Sequence, residues 1–186
     1  MKPFPSSFSS SSKETTMLKK HRGSLLVVAL LAIVMTVVAV QGAFANGDPA
    51  GNAVTRVKTV TNTGGATTTS GSYVALTSAT TSIAVAPGQT ALLLARFSAQ
   101  SQCTGAAGSC SVEILVDGNA ADPVSTPANF AFDSASTGGA ANARAIDRSM
   151  VVSAGVHTVQ VRYAVAGGAT SFRLSHWSLT VERSDQ

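Results

Sequence analysis

The stretch Ser153–Arg183, "SAGVHTVQVRYAVAGGATSFRLSHWSLTVER", decides the fold. After Ala154-Gly155 its side chains alternate. Val159, Val161, Tyr163 and Val165 fall on one side of an extended chain, and Thr158, Gln160 and Arg162 on the other. A period of two is that of a half-buried β-strand. Gly167-Gly168 interrupts the pattern, and residues 170–181 resume it with Phe172 and Leu174. A two-residue tip would make a hairpin in which Tyr163 lies opposite Phe172, Val161 opposite Leu174 and Val159 opposite His176. Beyond His176 the apolar parity flips to Trp177, Leu179 and Val181. A bulge near Ser175 or His176 accounts for the flip, because one extra residue re-aims every later side chain. A strand that changes the sheet it packs against also accounts for it.

The same grammar extends upstream. Strands are expected at 53–63, 72–78, 81–86, 90–101, 111–116, 129–133 and 143–152, separated by Gly, Pro and Asp-Gly punctuation. The segments 64–71 and 136–142 read as loops, and Asp117-Gly118 as a tight turn. Leu92, Leu93 and Leu94 make the 90–101 strand apolar on both faces, as in a central strand. Phe130 and Phe132 are expected to point inward. About nine strands without a helical period imply an all-β fold, two packed antiparallel sheets in a jelly-roll-like β-sandwich. An immunoglobulin-like sandwich is disfavoured, because the two cysteines flank a short local loop rather than spanning two sheets.

The N-terminal quarter has another character. Lys19, Lys20, His21 and Arg22 precede an uncharged apolar run, residues 24–40, and "QGAFA" follows with Ala43 and Ala45. A basic patch, an apolar core and an A-x-A site make a signal peptide cut after Ala45. The rival is an uncleaved anchor, for which the run falls short of the ~20 residues that usually span a bilayer. The expected organisation is a leader, residues 1–45, and a single β-sandwich domain, residues 46–186, in a secreted protein. Residues 1–16 are Ser-rich, and either Met1 or Met17 is the start.

Removing the leader changes the charge. The chain has 13 Lys+Arg and 9 Asp+Glu, but Lys2, Lys13, Lys19, Lys20 and Arg22 stand against Glu14 alone in the leader. The rest is electroneutral, with Lys58 its single lysine. A nucleic-acid partner needs a basic surface, so none is expected. The membrane is met only through the signal peptide. Cys103 and Cys110 enclose "TGAAGS", and in an exported chain they are expected to form a disulfide. No cofactor is expected.

Few residues suggest chemistry. In the hairpin register His157 and His176 are diagonal neighbours, a candidate metal pair that needs a third ligand such as Asp147 or Glu113. The structural alternative is that His157 caps backbone at the start of its strand. Asp117, Asn119 and Asp122 in "DGNAAD" form a candidate calcium loop, although turn chemistry explains all three. Tyr73 and Trp177 are candidate sugar-stacking rings; Trp177, in phase with Leu179 and Val181, also reads as core. No G-x-S-x-G elbow occurs and no cysteine is left over as a nucleophile, so no enzyme is expected.

The segment "AGVHTVQVRY" resembles the G-x-H-T-V-x-V strand start near the end of secreted jelly-roll modules. Carbohydrate-binding modules have similar lines, as do trimeric heads of the complement and tumour-necrosis-factor kind. The resemblance implies a binding module or a self-associating head. The composition points the same way: a chain poor in charge and rich in Ser, Thr, Gln and Asn offers little electrostatic obstacle to packing against a copy of itself. The expected function is therefore a secreted non-catalytic interaction module forming a homo-oligomer. The alternative is a module binding cell-wall or extracellular polysaccharide, with a metal-dependent hydrolase using His157 and His176 as the distant third.

Overall fold

The computed structural model describes residues 52–186. The expected leader, with its apolar run and the cut after Ala45, lies outside the described residues. Nine strands follow in order: β1 (Val54–Thr68), β2 (Val74–Val85), β3 (Ala91–Gly105), β4 (Ser109–Val116), β5 (Asn119–Ala120), β6 (Asp133–Ser134), β7 (Asn142–Val152), β8 (Gly155–Ala166) and β9 (Ala169–Asp185). One sheet has the order β1-β9-β3-β7; the other has β2-β8-β4-β5, with β6 also pairing β4. Every strand-to-strand ladder is antiparallel. The chain passes from sheet to sheet at nearly every connection, the interleaving of a jelly roll.

The core lies between the sheets and is built by strict alternation. On β3, Ala91, Leu93, Ala95, Phe97 and Ala99 are buried, while Leu92, Leu94 and Ser98 are half-buried on the outer face. A chain of rings runs through the core. Trp177 meets Phe97 at 6.3 Å, Phe97 meets Phe132 at 6.0 Å, Phe132 meets Phe172 at 6.3 Å and Phe172 meets Tyr163 at 5.8 Å, all tilted. Tilted rings at this spacing add ~0.5–1.5 kcal/mol per pair to what burial contributes.

The expected hairpin does not form. β8 pairs with β2 and β4, whereas β9 pairs with β1 and β3. Tyr163 and Phe172 do meet, but across the sandwich rather than side by side. Both strands bury one apolar face, and two such faces can be satisfied by facing each other as well as by adjacency. The Gly167-Gly168 tip is thus a crossing between sheets.

Other boundaries also move. β1 continues through the expected 64–71 loop to Thr68, because Gly65 to Thr68 still pair with β9 across a bulge. The two strands expected at 72–78 and 81–86 are one, broken in register between Ala75 and Thr80, where Ser78 has φ +67°. The expected 129–133 strand reduces to the Asp133–Ser134 pairing with β4. Phe132 is buried as expected, but Phe130 is half-buried beneath the guanidinium of Arg148, 4.5 Å from its ring. Segment 119–134 closes one side of the sandwich. Ala121 and Phe132 donate to the Ile114 and Cys110 carbonyls of β4, and Asp122 exchanges two backbone bonds with Ser149 of β7. β4 is consequently buried on both faces.

Cys103 and Cys110 are bonded. They join the end of β3 to the start of β4 across a tight connection packed against Gly167 and Gly168, so the bond is local in sequence but, contrary to the expectation, spans the two sheets.

Candidate functional site

The outer face of the four-stranded sheet carries a groove of about 420 Å3 lined by Ser98, Ala99, Gln100, Ala143, Arg144 and His176. Its walls follow from register. Ser98 lies opposite Ala145 and Gln100 opposite Ala143, so β7 offers only methyl groups where β3 offers a hydroxyl and an amide. That difference in side-chain length leaves the depression. Arg144 is opposite the buried Ala99, so alternation turns its side chain to the other face. There it reaches the buried Asp133 at 3.3 Å.

His176 enters the groove through a bulge. Ser98 pairs with Ser178 and Gln100 with Ser175, so β9 spends one residue more than β3 over the same span. His176 takes φ +47°, and the parity of all later residues reverses. This is the bulge the sequence offered as one of two explanations, and it leaves the imidazole exposed. Around it, Ser98 and Ser178 share a hydrogen bond of 2.8 Å, and the Ser175 hydroxyl donates to Gln100 Oε1 at 3.1 Å. The adjacent charges cancel, with Arg96 and Asp147 paired at 2.8 Å.

The other sequence candidates fall elsewhere. His157 is on β8 and His176 on β9, in opposite sheets, so the diagonal pair does not exist. Asp147 is held by Arg96 and Glu113 by Arg162. Among the described residues no three His, Cys, Asp or Glu side chains gather as a metal site. His157 is buried at the start of β8, its Nδ1 at 2.6 Å from Asp117 Oδ2 and its Nε2 at 2.8 Å from the Ser153 carbonyl. Asp117 Oδ1 accepts from the Thr158 amide at 2.8 Å. Both Asp117 oxygens thus face nitrogen donors rather than a cation, while Asn119 bonds the Asp117 carbonyl and the Asp122 backbone bonds Ser149.

Trp177 is 3 % exposed and packs on Phe97, so it offers no platform. Tyr73 is half-buried, its ring 5.7 Å from the Arg162 guanidinium and its hydroxyl 3.5 Å from Ser125. Burial raises its pKa. A second depression of about 560 Å3 lies beside Gly71, Pro127 and Gly167, without Tyr73 in its lining. Sequence reasoning missed Ser98 and Gln100. Their signal was the alternation of β3 beyond Arg96, which the Leu92–Leu94 run obscured.

No protein family and no curated protein matches this chain. Among solved structures, the chain is similar to the C-terminal domain of EclA, a sugar-binding protein, at 12% identity and TM-score 0.32, covering 73% of this chain and 86% of that one. It is also similar to dimeric latent PorU from Porphyromonas gingivalis, at 10% identity and TM-score 0.31, covering 76% of this chain and 14% of that one. Likenesses this distant assign no function.

Proposed function

We propose that the protein is a non-catalytic binding module, exported and cut after Ala45, that holds cell-wall or extracellular polysaccharide on the outer face of its four-stranded sheet. The observation that carries this reading is the lining of the groove. Ser98, Gln100 and His176 present polar donors and acceptors side by side, on a face where Arg96 is paired with Asp147 and the lining Arg144 with Asp133. Sugar hydroxyls both donate and accept, and such a face can satisfy them without a net charge. A rigid sheet also fixes these groups at strand spacing, as a repeating polymer requires. His157, one of the two histidines the sequence offered for chemistry, has both ring nitrogens facing acceptors and so is not placed to take a proton from a substrate.

The test is retention of the full chain on insoluble polysaccharides. Binding should survive a rise from about 50 mM to about 500 mM salt, because neutral hydrogen bonds are not screened as ion pairs are. The double variant Gln100→Ala, His176→Gly should lose about tenfold in affinity, as expected for one or two hydrogen bonds. Retention that is unchanged in the variant, or lost with salt, overturns this site. A second reading, self-association, is favoured by the long outer strand β1, which has no neighbour on one side among the described residues.

A further inference from the structure

We propose that His157, Asp117 and Ser153 form a proton-operated clasp: a doubly protonated imidazole pins the β4–β5 turn to the β7–β8 turn, and loss of one proton releases it. The argument is one of donors and acceptors. His157 Nδ1 faces a carboxylate oxygen and Nε2 faces a carbonyl oxygen, and neither partner can donate. A neutral ring has one N–H, so it would leave a lone pair pointing at an oxygen. The imidazolium satisfies both contacts at once.

The surroundings are built for it. Asp117 is turned toward the ring by a backbone at φ +52°, and its second oxygen takes the Thr158 amide at 2.8 Å. Gly155, the first residue of β8, lies against the ring: a Cβ there would be in ordinary contact, 3.6 Å from Nε2. On the β2 side His157 faces the apolar Ile83. At the next position Ala84 offers its carbonyl to Arg183 of β9, which is paired with Asp185. Asp117 is therefore the one charged group in hydrogen-bonding contact with the ring among the described residues.

Burial opposes the charged ring, but the bonds to Asp117 and Ser153 together with the carboxylate charge outweigh it and raise the His157 pKa above 6.5. The bond from His157 holds Asp117 below 3.8. A raised basic pKa contributes stability that is complete below about 6.5 and lost as pH rises through the folded value. The depressed carboxylate contributes stability that is present above about 3.8 and lost below it. The clasp is thus closed below about 6.5 and opens as pH rises through the raised His157 value.

The test combines imidazole NMR with thermal unfolding of the full chain. Long-range 1H–15N spectra, assigned with His157→Gln, should show both ring nitrogens protonated at pH 6 and a midpoint above 6.5. The unfolding midpoint should fall by about 2–4 °C between pH 6 and pH 8.5 relative to His157→Gln, which lacks the titrating group. Asp117→Asn keeps an acceptor for Thr158 but removes the charge, so it should lower the His157 midpoint; this arm stands even where His157→Gln folds poorly. A neutral tautomer at pH 6, a midpoint at or below about 6.5, or a midpoint unmoved in Asp117→Asn overturns the clasp.

Discussion

His176 holds φ +47° in the middle of a strand, a conformation that costs an L-residue about 1–2 kcal/mol relative to glycine. The strain sets the direction of one imidazole and the parity of Trp177, Leu179 and Val181. Substitution separates the two effects. His176→Gly should leave stability unchanged or raise it by up to about 1 kcal/mol, because relief of strain exceeds the entropy glycine adds to the unfolded chain. His176→Val should lose about 1–2 kcal/mol, since a β-branched residue tolerates this region poorly. Urea unfolding of the two variants measures the difference; equal stabilities would mean that the bulge carries no strain. The phase change was legible in the sequence, which offered the bulge as one of two explanations for it. The groove was not, because it depends on Ala143 and Ala145 lying opposite Ser98 and Gln100, and strand partners cannot be read from one sequence.

At the scale of the element, the β8–β9 connection shows what alternation does and does not encode. The pattern correctly gave two strands with inward Tyr163 and Phe172, and the two rings do touch. Adjacency in one sheet and opposition across two predict the same contact, so the hairpin and the crossing are indistinguishable at that level. The glycines carry the missing information. A Cβ on Gly108, at φ +107°, would strike backbone at Ala166, Gly168 and Ala169, so the disulfide loop is seated on the crossing itself. Gly88, at φ +77°, has no atom within 4 Å of such a Cβ. Gly88→Ala should therefore cost only its backbone strain, about 1–2 kcal/mol. Gly108→Ala must add displacement of backbone to a strain of about 1–3 kcal/mol, and should be the more damaging by chemical denaturation. Similar losses at the two positions would show that the loop does not bear on the tip.

Across the whole molecule, the sandwich has two sides, and only one is closed among the described residues. Segment 119–134 and the Asp122–Ser149 bonds cover the β7 side. On the other side β1 lies at the end of its sheet, so one of its edges presents unpaired backbone along Val54–Thr68. A long edge of this kind is a template for another strand unless it is blunted. Two bulges and the charges of Arg56 and Lys58 blunt it in part, but Val54 and Val57 remain 52% and 55% exposed. Electroneutrality beyond residue 45 removes the long-range repulsion that would keep copies apart. Two β1 strands paired antiparallel about Thr61 would set Lys58 beside Gly64 and Arg56 beside Ala66, so no like charges meet. The expectation is a dimer in light scattering at about 100 µM, near the weak end of edge-strand association. Val57→Lys should return it to monomer by placing a third cation on the same strand, beside Arg56 and Lys58. A monomeric wild-type chain at that concentration would mean that the two bulges together with Arg56 and Lys58 protect the edge.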